Sequence, residues 1–280
     1  MQPLVSVIIP TRDRPGFLQE AIESVSRQTC KNYEIIVVVN GPDNHLIAET
    51  MKIAAAGGCS VLRIDRSGIA VALNAGIQAA KGVWLAFLDD DDVWEPGKLE
   101  SQIKVAAGSQ ADVVFSDFTH FDKTNSVPSY LPRPPLQLSP REAMTLRNYG
   151  GGCSTTIVKR AAALAVGGFD ESIVSPDWDM WMRLAWQYRV TWDDALTTRV
   201  RLHANNTSKQ ISWAYWTLHI QFKALRTLPP DLRRLRFRIV LQMLKVTGKA
   251  GETYIRHRYR NAFRRLSTPR AHSSGEIRKA

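Results

Sequence analysis

The stretch Val83–Asp92, which reads VWLAFLDDDD, is the strongest single indication of the fold. Its first six residues, Val83–Leu88, are apolar and indicate a strand that is buried on both faces. Four consecutive aspartates, Asp89–Asp92, follow directly. Ligands bind at the carboxyl ends of strands in parallel sheets, so the sequence predicts an acidic binding site at such an edge.

Strands and helices alternate on both sides of this stretch through the first 120 residues. The expected strands are Val5–Pro10, Tyr33–Asn40, Val61–Asp65, Val83–Leu88 and Asp112–Ser116, and the expected helices are Phe17–Gln28, Asn44–Ala56, Gly68–Ala80 and Pro96–Ala107. This alternation is typical of βαβ units. It predicts an α/β, Rossmann-like fold with a mainly parallel central sheet and helices on both faces.

The pattern changes after residue 120. Five prolines predict a surface loop without regular structure over Val127–Pro140. A helix over Arg141–Asn148 and a strand over Thr155–Lys159 are expected to follow. A later helix has a clear start, because Ser175 can cap it and Pro176 can occupy its first position.

Charge divides the chain in two. Residues 209–280 contain 17 Lys and Arg and 3 Asp and Glu, a net charge of +14, whereas residues 1–208 contain 20 and 23, a net charge of −3. We therefore expect one α/β domain over residues 1–208, a basic helical extension over residues 209–266 and a flexible polar tail over residues 267–280.

Several protein classes are excluded by patterns that the sequence lacks. No apolar run approaches the roughly 20 residues of a membrane-spanning helix, and no basic segment precedes an apolar one near residue 1. The first strand is followed by Thr11–Gly16 rather than by GxGxxG, and no P-loop sequence occurs, so neither kind of nucleotide site is expected. Cys30, Cys59 and Cys153 lack metal-ligand spacing, which favours reduced thiols in a cytoplasmic protein.

The four aspartates are the strongest candidate for chemistry. Adjacent carboxylates repel one another unless a cation is present, and Mg²⁺ or Mn²⁺ takes one or two carboxylates together with water and phosphate oxygens. A solvated acidic loop is the alternative interpretation, and the position directly after a buried strand makes it the weaker one.

Two further residues are candidates if the fold brings them to this acidic turn. Asp177 falls in the first turn of the helix that begins near Pro176, where it could act as a general base or only complement the helix dipole. His203 could add an imidazole ligand, which would favour Mn²⁺, or could have a structural role.

Five stretches occur in order along the chain: Val5–Arg14, Asn74–Trp94, Gly167–Glu171, Asp177–Leu184 and Arg201–Ser208. Together they resemble the family-2 glycosyltransferases of the GT-A fold over about residues 4–208. The resemblance implies a nucleotide-sugar-binding half over residues 1–120 and an acceptor-binding half over residues 121–208, with acceptor contacts from Thr119–Arg147.

The resemblance also implies a role for each matching residue. Asp89 would face the donor ribose, Asp91 would hold Mn²⁺ or Mg²⁺ on the donor diphosphate, and Asp177 would take the proton of the acceptor hydroxyl. His203 would close over the metal or the pyrophosphate, and together with Asp91 it is an expected metal ligand. The residues expected to bind the donor are Pro10, Thr11, Arg14, Asn40, Asn74, Asp89 and Asp90.

The implied reaction is a single in-line displacement that inverts the anomeric carbon of one transferred sugar. Three positions depart from the family pattern: Val39-Asn40 stands where two acidic residues are usual, Leu73 replaces an arginine and Pro176 replaces a glutamate. The first departure leaves the nucleotide open among uridine, thymidine and guanosine, with UDP- and dTDP-sugars favoured. The Gln-x-x-Arg-Trp motif of processive synthases is absent, which indicates single-sugar transfer.

The expected acceptor is a glycan or a lipid-linked glycan in surface glycan assembly. The alternative function is a non-catalytic GT-A-like protein that binds a nucleotide-sugar or a glycan. Apolar residues recur at near-helical spacing among arginines from Leu232 to Val246, so the extension either packs on the α/β domain or contacts the anionic inner face of a membrane. Nucleic acid is not an expected partner, because no nucleic-acid motif accompanies the charge.

Overall fold

The computed structural model of the protein describes residues 2–173, 176–203 and 213–248. Its strands are β1 Val5–Thr11, β2 Tyr33–Asn40, β3 Ser60–Ile64, β4 Trp84–Phe87, β5 Val93–Trp94, β6 Val113–Phe121, β7 Ser126–Ser129, β8 Thr156–Lys159 and β9 Val190–Arg201. Its α-helices are α1 Pro15–Ser26, α2 Ile47–Ala56, α3 Ile69–Ala79, α4 Lys98–Ser109, α5 Pro140–Leu146, α6 Arg160–Ala165, α7 Pro176–Gln187, α8 Trp213–Thr227 and α9 over residues 236–248. Short 3₁₀ helices cover Cys153–Thr155 and Pro230–Leu235.

The strands form one mixed sheet in the order β3-β2-β1-β4-β8-β6-β9-β5, with β7 paired to the end of β6. Strands β3, β2, β1 and β4 run parallel, as the alternation of strands and helices predicted. The β6–β9 pair is also parallel, whereas β8 is antiparallel to both β4 and β6, and β5 is antiparallel to β9. The predicted α/β fold is confirmed, with an uninterrupted parallel part formed by β1 to β4.

Successive residues of the parallel strands enter two separate cores, one on each face of the sheet. In β2, Ile36 and Val38 join the core that includes α3, whereas Ile35 and Val37 join the core that includes α1, α2 and α4. Side chains alternate along a strand, so burial on both faces requires the continuous apolar runs seen in the sequence.

Two sequence-based boundaries are wrong in one region. The strand expected to end at Ser116 continues to Phe121 as part of β6. The segment Val127–Pro140, expected to lack regular structure, begins inside β7, where Pro128 lies opposite Thr119. Among the described strands, β7 pairs with β6 alone, and such an edge strand tolerates proline because one side of its backbone needs no partner.

The described part of the C-terminal extension packs on the α/β domain. A third core joins it to α7 and consists of Ile173, Trp178, Met182, Trp186, Ile220, Ala224, Leu228, Leu232, Leu235 and Ile239. Beside this core, Lys223 Nζ lies 2.6 Å from Asp170 Oδ2 and 2.7 Å from Asp179 Oδ1, and Asp179 is fully buried. The part of the chain that the structure describes contains no helix both long and apolar enough to cross a membrane.

Lys223 provides a test of how firmly the extension is attached. Replacing it by methionine should lower the free energy of unfolding by about 2 kcal/mol or more, because the buried Asp179 carboxylate loses a cationic partner. Urea denaturation followed by tryptophan fluorescence measures the change, with Lys52→Met as a control at an exposed lysine. Equal midpoints for all three proteins would show that the ion pair contributes nothing to folding.

Candidate active site

A cleft of about 670 Å³ opens at the carboxyl ends of β1, β2 and β4. Its lining residues are Pro10, Thr11, Arg12, Asp13, Arg14, Asn40, Gly68, Ile69, Asp89, Asp90, Asp91, Asp92, Phe118, His120, Gly152, Cys153, Ser154, Thr155, Pro176, Asp177, Val200 and Trp216. The cleft therefore brings together every predicted site residue except Asn74 and His203. His203 reaches it through a contact with Asp91, and Asn74 lies elsewhere.

The acidic turn is built directly onto the end of β4. It closes on itself, because the Asp92 backbone N–H donates to the Asp89 carbonyl at 3.1 Å. The Asp89 N–H donates to Ser154 Oγ at 3.0 Å, and the Ser154 carbonyl in turn accepts the Trp94 indole N–H at 2.9 Å. Within this frame Asp89, Asp91 and Asp92 present carboxylate oxygens that lie within 4.8 Å of one another.

Asp90 is not part of that group and instead anchors the β1–α1 turn. Its carboxylate accepts the Thr11 hydroxyl at 2.7 Å and Arg14 Nη1 at 3.2 Å, and only 6% of the residue is exposed. The same Arg14 Nη1 donates to Asp91 Oδ2 at 2.6 Å. Two of the predicted donor-binding residues thus hold the acidic turn against the first strand.

The end of β9 closes the other side of the turn. The Arg201 backbone N–H donates to Asp92 Oδ1 at 2.9 Å, and its side chain donates to the Asp91 carbonyl at 2.8 Å. Two residues further on, His203 Nε2 lies 2.9 Å from Asp91 Oδ2, with its ring against Phe17. The histidine predicted from sequence to join Asp91 is therefore adjacent to it in space.

The turn carries more negative charge than its surroundings compensate. Burial, reinforced by Asp92, Asp91, Asp90 and Asp177, raises the pKa of Asp89 well above its usual value. Burial also raises the pKa of Asp92 to about 7 and that of Asp90 to about 6, although Thr11 and Arg14 partly oppose the shift at Asp90. A divalent cation would relieve this excess charge, and a set of carboxylate oxygens beside an imidazole fits Mg²⁺ or Mn²⁺.

Asp177 reaches the same cleft from the start of α7. The predicted N-cap Ser175 lies outside the described residues, but the helix begins at Pro176, as expected. Asp177 Oδ1 accepts the Trp178 backbone N–H at 2.9 Å. Trp178 is itself fixed, because its indole N–H donates to the Met144 carbonyl at 2.8 Å. The helix therefore holds the Asp177 carboxylate beside the acidic turn, close enough to raise the pKa of Asp89.

The replacement of the usual acidic pair after β2 is explained by the alternation of the strand. Val39 is 2% exposed and lies in the core, whereas Asn40 lines the cleft. Asn40 Nδ2 donates to the Gly68 carbonyl at 3.2 Å. Gly68 has a φ of +132°, which glycine adopts without strain. At position 40 this chain therefore presents an amide to the cleft, whereas the family that it resembles usually has an acidic residue there.

Asn74 lies in a second recess and binds backbone rather than the cleft. Its Nδ2 donates to the Phe169 carbonyl at 2.9 Å, and its Oδ1 accepts the Phe169 N–H at 2.8 Å. Gly168 has a φ of +68°, and a Cβ there would lie 2.5 Å from Asn74 Oδ1. The stretches Asn74–Trp94 and Gly167–Glu171 are therefore in contact, because the Asn74 side chain binds the backbone of Phe169. No contact of Asn74 supports its predicted donor-binding role.

Fourteen of the lining residues had no individual binding or catalytic role predicted from the sequence, and they include Asp92, Phe118, His120 and Trp216. Asp92 was detectable as the fourth aspartate of the run. Phe118 and His120 lie on the part of β6 that the sequence did not predict as strand. Trp216 belongs to α8, which begins with several aromatic residues. No pattern in the sequence indicated that these aromatic residues lie near the site. Of the expected acceptor segment Thr119–Arg147, His120 lines the cleft.

A profile of glycosyl transferase family 2 matches residues 6–166, more than half of the chain, so the protein belongs to this family. An uncharacterized glycosyltransferase of Rickettsia prowazekii is 30% identical over 215 residues, which cover 74% of this chain and 66% of the relative. The chain spans 31–66% of the length of the Rickettsia relatives that it matches.

Two solved structures of glycosyltransferases share the fold. Residues 1–349 of S. aureus TarS in complex with UDP-GlcNAc superpose with a TM-score of 0.68 and 16% identity, covering 86% of this chain and 72% of that one. The mannosyltransferase PcManGT of Pyrobaculum calidifontis, in complex with GDP-Man and Mn²⁺, gives a TM-score of 0.63 and 17% identity, covering 90% and 76%. The protein therefore has the GT-A fold of these enzymes.

The excess charge in the acidic turn leads to a stability prediction. Asp89→Asn should raise the free energy of unfolding at pH 7 in EDTA by at least about 1 kcal/mol, because it removes a charge that burial and neighbouring carboxylates disfavour. An acid whose pKa is raised in the folded state costs stability as pH rises above its unfolded pKa, so the advantage should shrink as pH falls toward 4.

Thermal unfolding of the wild type, Asp89→Asn and the exposed control Asp65→Asn, measured between pH 4 and 8, checks this prediction. A variant that is less stable than the wild type at pH 7 in EDTA would show that the charge is already compensated in the metal-free protein.

Proposed function

We propose that this protein is an inverting, metal-dependent glycosyltransferase that moves one sugar from a nucleotide-diphosphate-sugar to an acceptor hydroxyl. The observation that carries the proposal is that Asp177 and the acidic turn line one cleft. Displacement at an anomeric carbon needs a group that accepts the proton of the nucleophile and a group that stabilises the charge of the leaving group. Asp177 would accept the proton, and a metal held by the acidic turn would stabilise the charge of the leaving group.

The carboxylates of Asp89, Asp91 and Asp92 would hold the metal, with His203 as a further ligand. Carboxylate oxygens suit Mg²⁺ and Mn²⁺ alike, and an imidazole favours Mn²⁺. When bound, such a cation would stabilise the charge of the departing diphosphate. The Mn²⁺ in the PcManGT complex supports this choice for the fold.

The donor would lie with its nucleoside among Pro10, Thr11 and Asn40. Because Asn40 Nδ2 is bound to the Gly68 carbonyl, its Oδ1 would be the acceptor for a ring N–H of the base. Uracil, thymine and guanine all carry such a ring N–H, so this contact fits each of them; UDP- and dTDP-sugars are proposed from the family resemblance, with guanosine as the competing nucleotide. Arg14 and Asp90, which bind each other, would support the donor from the β1–α1 turn, and Asp89 would lie between the ribose and the metal.

The reaction would be a single displacement. The acceptor oxygen attacks the anomeric carbon while the bond from that carbon to the diphosphate oxygen breaks. The acceptor proton passes to the Asp177 carboxylate, and the nucleoside diphosphate leaves with the bonding electron pair. One displacement inverts the anomeric configuration.

The acceptor would be a glycan or a lipid-linked glycan in surface glycan assembly. Trp216 of α8 lines the same cleft as Pro176 and Asp177, and its indole would offer an apolar face for the C–H face of a sugar ring. A lipid-linked acceptor would bring a cytoplasmic enzyme to the inner face of a membrane, and the C-terminal helices are the proposed contact.

Donor binding is tested by thermal-shift and calorimetric titration of UDP-, dTDP- and GDP-sugars with Mn²⁺, Mg²⁺ or EDTA. We expect one donor class to bind only with metal, and Asp91→Ala to weaken that binding by more than about 100-fold. Asp65→Ala, which removes an exposed carboxylate outside the cleft, should bind like the wild type. Failure of every donor to bind the folded wild type would favour the alternative of a non-catalytic glycan-binding protein.

Catalysis is tested by replacing Asp177 with asparagine. Transfer of labelled sugar to an acceptor found by screening a glycoside panel should fall by about 10²–10⁴-fold, since the general base is lost. Calorimetric affinity for the donor should stay unchanged, and the exposed variant Asp43→Asn should keep full activity. Undiminished transfer by Asp177→Asn, or retention of the anomeric configuration by NMR, would contradict the mechanism.

A further inference from the structure

Helix α9 is apolar on two opposite faces. One face packs on the domain, where Leu235, just before the helix, is 2% exposed, Ile239 is fully buried and Val246 is 3% exposed. The other face presents Phe237, Val240, Leu241 and Leu244, which are 71%, 42%, 40% and 63% exposed. A helix on the surface of a domain ordinarily carries polar residues on its outer face, so this second face requires an explanation.

The four exposed apolar residues form a continuous stripe. Their spacing of three, one and three residues places them on one side of the helix. At about 100° per residue, Arg236 projects to one side of the stripe, and Arg238 and Lys245 project to the other. All three basic residues are exposed. The outer face of α9 is thus an apolar centre with cations along both edges.

We propose that this stripe docks the protein on an anionic lipid bilayer, with α9 lying in the plane of the interface. The apolar side chains would enter the boundary between head groups and acyl chains, and the long basic side chains would reach outward to the lipid phosphates. An anionic bilayer complements this pattern because it offers an apolar interior beneath the helix and negative charge along both of its edges.

The charge distribution also argues against a second copy of the chain as the occupant. Two α9 stripes placed face to face would bring Arg236, Arg238 and Lys245 of each copy together, and like charges across an interface oppose association. Residues 213–248 contain seven basic residues and one acidic residue, so the neighbouring surface adds to the same field.

Docking through α9 would also set the position of the cleft relative to the bilayer. The same extension is fixed to α7 through the third core and through Lys223, and its Trp216 lines the cleft. The consequence that the cleft faces a lipid-linked acceptor rests on the proposed function. The docking itself does not, and it can be measured without donor or acceptor.

The test is co-sedimentation of the full chain with sucrose-loaded vesicles at about 0.15 M salt. One vesicle set is phosphatidylcholine alone, and the other contains about one part in four of phosphatidylglycerol. We expect the wild type to sediment with the anionic vesicles and to stay in solution with the neutral ones. Phe237→Gln with Leu244→Gln should lower the partition coefficient at least about tenfold.

The charges are tested by Arg236→Gln, Arg238→Gln and Lys245→Gln together. Each basic side chain near an anionic surface contributes a factor of about five, so this triple variant should also lose more than tenfold. Its matched control, Lys31→Gln with Lys52→Gln and Lys104→Gln, removes the same charge from exposed sites elsewhere. Leu136→Gln, at a fully exposed leucine, is the control for the apolar pair.

Normal binding by both controls, with unchanged thermal unfolding of all variants, would support docking through α9. Equal sedimentation of the wild type with neutral and anionic vesicles, or none with either, would overturn it. So would undiminished binding by the apolar double variant. Sedimentation velocity of the protein alone completes the test: a dimer that the apolar double variant abolishes would assign the stripe to a second copy and would also overturn the proposal.

Discussion

Four carboxylates in one turn have to be held at the end of a buried strand, and much of the surrounding structure is arranged around their mutual repulsion. The turn Asp89–Asp92 is restrained by Thr11 and Arg14 from the first strand and the residues after it, by Ser154 beneath it, and by Arg201 at the end of β9. These partners come from positions up to 110 residues away in sequence. They compensate the charge only in part, because burial still raises the pKa of Asp89 and Asp92. A site with excess negative charge binds a cation more readily than a neutral one.

The second constraint is the placement of the helix that bears Asp177. α7 is fixed from two sides, since Trp178 binds the Met144 carbonyl and Asp179 pairs with Lys223. Lys223 belongs to the C-terminal extension, so the extension helps to hold the helix that carries the proposed base. It also contributes Trp216 to the cleft. In this chain the basic extension is therefore part of the site, and its two functions, packing and the proposed docking on lipid, use opposite faces of α9.

The departure from the family pattern at Val39-Asn40 follows from the alternation of side chains along strand β2. Adjacent residues of β2 point to opposite faces, so only one residue of the pair Val39-Asn40 can reach a ligand. The valine extends the core, and the asparagine brings an amide held by the Gly68 carbonyl. The departure from the usual acidic pair changes the hydrogen-bonding character of one position and leaves the acidic turn and α7 intact.

Local sequence patterns were sufficient to predict the parallel strands, the acidic turn after β4 and the start of α7 at Pro176. These features depend on local patterns: continuous apolar runs, four adjacent charges and a proline at a first helical position. Which of these residues are in contact depends on the tertiary structure. It placed His203 beside Asp91, moved Asn74 out of the cleft and brought Trp216 into it. It also placed the first three residues of the proline-rich segment, Val127–Ser129, in an edge strand. Contacts of this kind depend on the packing of elements far apart in the chain, and periodicity and composition report only on the neighbours of each residue.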